Sequence, residues 1–260
     1  MNYTSIIFEV ADRIATITLS RPERRNSMDD LMIKELTEAF TSANRNPNVR
    51  ALIITGAGSA FCAGMDLDYL KKFSEKSHDE NVEDARNLMK MYQVLHSMKK
   101  PTVAVVNGAA LGGGCGIAVA CDFVFAAKNK GKIGVPEVRI GFLPAIILVY
   151  LIKRMGEGKA REMVIRGDIY DSQKAASLGL VTEVIEDESL TEKSNEFVKH
   201  LIEDTCSSSL NLTKELFTRY HEMNEKELME YAANLNALIR KTDDFKRGLD
   251  SFLNKEKLKW

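Results

Sequence analysis

The sequence predicts an α/β fold in which a parallel strand layer comes first and a helical region follows. Three observations carry this. Short apolar runs bounded by turn residues alternate with helix-period segments as far as residue 143. The order strand, helix, strand over residues 14–55 implies parallel pairing. From Pro144 onward the pattern is almost wholly helical, with one further strand signal at 181–185.

The elements follow in order. Runs at 6–10 and 14–19, separated by Ala11, Asp12 and Arg13, read as a hairpin, and Ile17 and Leu19 alternate with Thr16 and Thr18 as in a half-buried sheet. Arg21-Pro22 breaks the pattern. Ser27 followed by Asp30 resembles a capping box that opens a helix to about residue 43, with Leu31, Leu36, Ala39 and Phe40 at helical spacing. A buried strand at 51–55 ends at Gly56, Ala57 and Gly58. The polar interval 71–86 predicts a flexible surface loop of the kind that covers ligands, leading into a helix over 87–98. Buried strands at 102–106 and 123–127 flank a glycine-rich turn and a helix over 113–120, so the turn lies at the carboxyl end of a strand. Helices are expected at 145–155 and 159–165, and a capped segment from Asp171. The remainder keeps helical periodicity, and its apolar faces need a partner surface. We expect a core over 1–195 and a helical region over 196–260 that packs on a neighbouring subunit. No repeat at a fixed period and no low-complexity linker is visible.

Composition excludes several classes of function. With 36 Lys+Arg against 37 Asp+Glu the net charge is −1, so the basic surplus that binds nucleic acid or an anionic membrane is missing. The four cysteines form no CxxC pair and the four histidines no HxxxH or HExxH spacing, which disfavours a metal centre. No basic segment followed by an apolar run opens the chain, so a cytoplasmic protein with reduced thiols is expected. The nearly uncharged stretch 102–127 is long enough to suggest a membrane span. Its glycines, Gly108, Gly112, Gly113, Gly114 and Gly116, argue instead for a soluble strand, loop and helix.

Two segments invite chemistry. Ser59-Ala60-Phe61-Cys62-Ala63-Gly64-Met65-Asp66-Leu67 follows a strand, and its small residues let a backbone approach a ligand, with Asp66 suited to a helix N-terminus. Asn107-Gly108-Ala109-Ala110-Leu111-Gly112-Gly113-Gly114-Cys115-Gly116 turns a strand into a helix whose first N–H groups are free. One N–H from each would form an oxyanion hole; tight packing turns would give the same glycines. Neither segment fits GxxxxGK[ST], nor GxGxxG with a distal acid, which excludes nucleotide hydrolysis and dinucleotide redox chemistry. Cys115 and Cys121 lack a visible histidine partner and read as structural, as does His96. Leu88, Met91, Tyr92 and Leu95 either line an apolar pocket or form a packed helix face.

These residues, in order, resemble the enoyl-CoA hydratase/isomerase (crotonase) superfamily. The similarity rests on Arg21-Pro22 with Arg25-Asn26, Phe61 to Leu67, Asn107 to Gly116 with Ala120-Cys121-Asp122, Pro136-Glu137 with Gly141, and Ala175-Ala176 to Gly179-Leu180-Val181. It runs end to end, as far as Phe245-Lys246, Phe252-Leu253 and Lys255. The resemblance implies a spiral of ββα units, a helical C-terminal trimerisation region, and homotrimers that commonly pair. It also implies an acyl-CoA thioester substrate, with coenzyme A arriving as part of it and no permanently bound cofactor. The amides of Met65 and Gly113 fall on the oxyanion donors. Arg25 and Lys255 are candidates for the CoA phosphates, the backbone of Ala63 and Asp66 for the adenine end, and Leu67 for binding CoA.

The typical hydratase of that family has two glutamates beside the double bond. Here the second is Glu137, but the first falls on Gly116. Apolar neighbours Val135, Val138, Ile140, Phe142 and Leu143 would raise the Glu137 pKa, with Arg139 on the same face if the segment is extended. The reading favoured is hydration of a 2-enoyl-CoA with Glu137 as the single acid/base, and the alternative on the same site is Δ3,Δ2-enoyl-CoA isomerisation. A non-catalytic acyl-CoA binder is the alternative of another class.

Overall fold

The computed structural model describes residues 3–260. A six-stranded sheet is built from β1 (Ile6–Ala11), β2 (Ile14–Leu19), β3 (Ala51–Gly56), β5 (Thr102–Val106), β7 (Phe123–Ala127) and β10 (Glu183–Ile185), hydrogen-bonded in that order. The β1–β2 hairpin is antiparallel and every other pair in this sheet is parallel. Asp12 and Arg13 both take left-handed φ, the two-residue turn whose twist matches a hairpin. A second sheet joins β4 (Ala60–Cys62), β6 (Ala109–Leu111), β8 (Lys132–Gly134) and β9 (Ile169–Asp171). After the β1–β2 hairpin, three successive units of chain each give one strand to each sheet and then lead to helix. β3 and β4 lead to α2 (Leu67–Phe73) and α3 (His78–His96), β5 and β6 to α4 (Gly113–Ala120), and β7 and β8 to α5 (Ala145–Met155). This is the ββα spiral that the resemblance implied.

The small sheet was not foreseen. Its strands are three residues each, too short to show alternation.

Two helix starts also differ from expectation. The first helix, α1 (Asp30–Arg45), is capped by Asp29, whose carboxylate accepts from the Met32 N–H at 3.0 Å. Ser27 instead donates to Asp66 at 3.3 Å. Leu31 is exposed, and the buried face is Met32, Ile33, Leu36, Ala39, Phe40 and Ala43. The interval 71–86 is not one long loop: α3 already begins at His78, capped reciprocally by Ser77 and Glu80. Its polarity is that of an exposed helix face.

The large sheet is buried on both sides, which explains its nearly continuous apolar runs. One face packs with α1, α3, α4 and α5 around Phe40, Phe61, Met91, Tyr92 and Leu151. The other, carrying Ile53, Val103, Val105 and Phe125, is covered by Val198 and Ile202 of α8 (Leu190–Asp204). The intervening chain forms α6 (Glu157–Arg166) and α7 (Ser172–Ser177), the latter capped by Asp171 as expected. Three helices follow α8: α9 (Ser207–Tyr220), α10 (Glu225–Ile239) and α11 (Asp243–Leu253). The first two bury no residue and the third buries Ser251. Lys214 ties α9 to the core by ion pairing with Asp122 and donating to the Lys100 carbonyl at 2.8 Å. Among the described residues no helix is long and apolar enough to cross a membrane, and the stretch 102–127 is divided among β5, β6, α4 and β7.

Candidate active site

The site lies where the two glycine-rich segments meet. Met28 and Met65 form an isolated parallel bridge: Met28 N–H donates to the Gly64 carbonyl and Asp66 N–H to the Met28 carbonyl, both at 2.8 Å. In such a bridge the bonds belong to the residues either side of Met65, so its own N–H faces the opposite way. Asp66 then caps α2, its Oδ1 accepting from the N–H groups of Asp68 (3.0 Å) and Tyr69 (3.4 Å). Burial works to raise the Asp66 pKa. The Tyr69 and Asp68 N–H groups, with the Arg21 and Arg24 guanidiniums, outweigh it and hold the carboxyl below its ordinary value. Arg21 secures the whole corner, donating to the Ser27 carbonyl at 2.6 Å and pairing with Asp29 at 2.9 Å and Asp66 at 3.2 Å.

The second segment is pressed against the first. A Cβ at Gly64, whose φ is +98°, would lie 3.0 Å from the Leu111 carbonyl oxygen and 3.6 Å from the Gly113 nitrogen. One at Gly114 would lie 2.1 Å from the Cys62 carbonyl oxygen. Only glycine permits both approaches. Gly112 N–H is taken by the Gly134 carbonyl at 2.9 Å. Gly113, the first residue of α4, has an N–H that the helix ladder does not use, at the positive end of the helix.

Glu137 stands opposite. It opens a 3-10 turn, Glu137–Ile140, closed by Gly141 at φ +74°, rather than lying on an extended segment. Its carboxyl reaches Gly112, where a Cβ would lie 2.9 Å from Oε1. Oε2 is buried and has no hydrogen-bond partner among the described residues. Burial raises the Glu137 pKa, and its own backbone N–H offsets only part of the rise.

Two cavities meet here. One, of about 660 Å³, is a groove with Arg24, Ala63, Asp66, Leu67 and Arg139 on its walls. The other, of about 490 Å³, is an apolar chamber lined by Leu88, Tyr92, Phe142, Leu143, Ile146 and Ile147. Met65, Gly113 and Glu137 line both. A polar-mouthed groove and an apolar chamber joined at two amides and a carboxyl can hold a ligand with an anionic end, a polarisable carbonyl and an apolar tail.

The sequence-predicted residues fall into two groups. Met65, Gly113, Glu137, Ala63, Asp66 and Leu67 come together at the groove. Arg25 does not line it. That residue closes the turn Pro22–Arg24 in the left-handed region, its side chain is exposed, and its carbonyl accepts from Ala63 N–H at 3.0 Å. The neighbouring Arg24 lines the groove instead and pairs with Asp68 at 2.8 Å. Sequence spacing could not separate two adjacent arginines. Lys255, exposed just beyond α11 at φ +57°, lines neither cavity.

The space beside Gly116 is filled: a Cβ there would meet Ile147 Cγ2 at 2.4 Å and the Tyr92 hydroxyl at 2.9 Å. Tyr92 was visible only as one member of an apolar helix face, and nothing in the spacing marked its hydroxyl. The thiols of Cys62 and Cys121 are pushed up to about 12 by burial, and that of Cys115 is raised by burial and by Glu137, which keeps all three protonated and inert. His96 is half-buried against Tyr150, and desolvation lowers its pKa. Among the described residues no three His, Cys, Asp or Glu side chains cluster as metal ligands do.

The enoyl-CoA hydratase/isomerase family model matches residues 9–260. A Thermus thermophilus protein is 35% identical over 242 residues, covering 93% of this chain and 95% of its own length. The crotonyl-CoA hydratase of Syntrophomonas wolfei is 31% identical over 259 residues, covering 99% and 98%. The crystal structure of an enoyl-CoA hydratase/isomerase from Marinobacter aquaeolei superposes with a TM-score of 0.91 at 28% identity, covering 98% of each chain. With a family-model match over residues 9–260 and relatives more than 30% identical along almost the whole chain, this protein belongs to the enoyl-CoA hydratase/isomerase family.

Proposed function

We propose that this chain hydrates a 2-enoyl-CoA. The thioester carbonyl lies between the N–H groups of Met65 and Gly113, which favour its oxygen more as negative charge grows, so the transition state gains more than the ground state. The Glu137 carboxylate takes a proton from water as the water oxygen bonds to C3. The C2–C3 π electrons move onto the thioester as an enolate. The same carboxyl then returns its proton to C2 and is a carboxylate again, leaving a 3-hydroxyacyl thioester. The observation that carries this reading is the unpartnered Oε2 of Glu137 at the junction lined also by Met65 and Gly113.

The CoA portion occupies the groove, with its adenine end against the backbone of Ala63, Asp66 and Leu67 and its phosphates met by Arg24 of this chain and by Lys255 of a neighbouring subunit. Exposed apolar side chains of the last three helices, among them Phe217, Met229, Leu238, Phe252 and Leu253, support a homotrimer built through the tail. The setting is cytoplasmic, and no resident cofactor is required.

A single carboxyl also favours a second reading, because isomerisation of a 3-enoyl-CoA needs one proton carrier and no water. Turnover of crotonyl-CoA and of a 3-enoyl-CoA separates the two. Conversion of the 3-enoyl substrate alone would replace hydration by isomerisation, and binding of both without conversion of either would leave a non-catalytic acyl-CoA binder.

A further inference from the structure

The apolar chamber is closed at one end and open at the other. The residues of α3 that line it fall on one helix face, and their exposure declines along the helix: Ala85 is exposed, Leu88 half-buried and Tyr92 fully buried. The facing segment repeats the gradient. Leu143 is 63% exposed, Ile146 half-buried and Ile147 only 4% exposed. The buried end adjoins the two amides and the carboxyl, because the Tyr92 hydroxyl donates to the Gly113 carbonyl at 2.7 Å and Ile147 fills the space over Gly116. The open end is remote from them. From Tyr92 back to Ala85 the helix covers seven residues, about 10 Å, the length of an extended chain of about eight carbons. Asn81, one turn before Ala85, also lines the chamber and gives this end a polar edge where apolar wall gives way to water. A crotonyl group held at the amides would fill the buried end alone and leave the wall at Leu88 and Ile146 facing water. A longer tail would cover it, and covering apolar surface is favourable.

Resting on the acyl-CoA reading of the site, we infer that the preferred substrate carries an unbranched acyl chain long enough to cross the chamber, about eight carbons beyond the double bond, which lies along α3 and leaves between Ala85 and Leu143. Each methylene that passes Leu88 and Ile146 is taken out of water and adds to binding. Methylenes past the rim return to water and add nothing, so affinity levels off with length. A chamber closed at the rim would instead set a maximum length. A branch beside the double bond is disfavoured at the other end, where Tyr92 and Ile147 form a buried wall.

The test uses saturated acyl-CoAs, which bind without reacting, so that chain selection is read apart from hydration. Calorimetry with butyryl-, octanoyl-, dodecanoyl- and tetradecanoyl-CoA gives the affinity of each. From butyryl to octanoyl a gain of about a hundredfold is expected, on the scale of about fourfold for each methylene removed from water. The gain should continue to dodecanoyl and level off at tetradecanoyl, whose end lies beyond the rim. Ala85→Asp then puts a carboxylate on the exposed rim, where an apolar tail must pass it. The ratio of tetradecanoyl to butyryl affinity should fall about tenfold, and taking the ratio cancels any effect of the new charge on the anionic CoA portion. Equal affinity for butyryl- and octanoyl-CoA overturns the inference, and so does an affinity that peaks at octanoyl and drops at tetradecanoyl. An unchanged ratio in Ala85→Asp also overturns it, because the tail would then lie elsewhere. A parent protein that shows both the rise and its loss in Ala85→Asp, yet hydrates neither crotonyl-CoA nor 2-dodecenoyl-CoA, keeps this inference and overturns hydration. No binding of any acyl-CoA overturns both.

Discussion

The two walls of the active site are made in opposite ways. One, from Gly112 through Ala120, is buried along its whole length and presents backbone: its useful group is an amide, and its position is enforced by contacts that exclude any side chain at Gly114. The other, from Pro136 to Leu143, is a short turn with Val138, Ile140, Phe142 and Leu143 exposed, and it presents one carboxyl. A packed wall is suited to a donor that must not move, because preorganised dipoles cost no reorganisation during reaction. A turn is suited to a group that, in the proposed reaction, changes protonation state between water and carbon. Substitutions in the first wall should therefore register as stability, and substitutions in the second as rate.

The strongest test of that division is Glu137→Gln. It should lower kcat on crotonyl-CoA by about a thousandfold, the middle of the usual range for an acid/base group, while acyl-CoA affinity stays near that of the parent protein by calorimetry. Retained turnover would show that the second wall carries no chemistry. Next in size is Gly114→Ala. Because the new Cβ would meet a backbone carbonyl at 2.1 Å, the two segments must part. A loss of about 3 kcal/mol in urea unfolding is expected, the upper part of the range for overpacking.

Arg21→Met should cost about 2 kcal/mol, since it strips charged hydrogen bonds from a largely buried cluster and leaves Asp66 with a weaker partner set. The matched change in the exposed wall, Gly141→Ala, meets nothing within 4 Å and suffers only its positive φ. About 1 kcal/mol is expected from the backbone alone, again by urea unfolding. A loss at Gly141 as large as that at Gly114 would break the comparison.

The smallest effect is in pH dependence. The native carboxyl of Glu137 keeps its proton to higher pH than the unfolded one, because burial raises its pKa. Stability should therefore fall as pH rises from the ordinary carboxylate value through the raised native one. Glu137→Gln removes this slope and should be the more stable protein at neutral pH, with the advantage vanishing in acid. Hydration should rise through the same interval and level off, as the carboxylate becomes the dominant form.

Much of the molecule was legible in its sequence for identifiable reasons. Strands β5 and β7 are buried on both faces, so their apolar runs stand out, and α4 and α5 were bounded by glycine and proline. The small sheet was invisible because three-residue strands carry no period. The start of α3 was hidden because an exposed helix turn and a loop have the same polar composition; only the Ser77–Glu80 cap distinguishes them. In the candidate site, Met65, Gly113 and Glu137 each lie in a motif that carries the resemblance, and the structure brings the three to one junction. Arg24 was not legible in the sequence, because which of two neighbouring arginines faces the groove depends on the left-handed turn at Arg25.

By itself the sequence determined the layered α/β class, the two glycine-rich turns, the absence of a general basic surplus, and the presence of Glu137 with a bare glycine at 116. All of these are local: they follow from spacing, from residue size and from charge along the chain. The tertiary structure decided what stands beside the missing side chain. Tyr92 and Gly116 lie on different helices, and their meeting depends on how α3 packs against α4. No periodicity within either segment encodes that contact, because packing relates surfaces rather than neighbours in sequence. The tertiary structure also decided that the Glu137 carboxyl keeps one oxygen buried and without a partner among the described residues, a property of the cavity around it and not of the residues on either side.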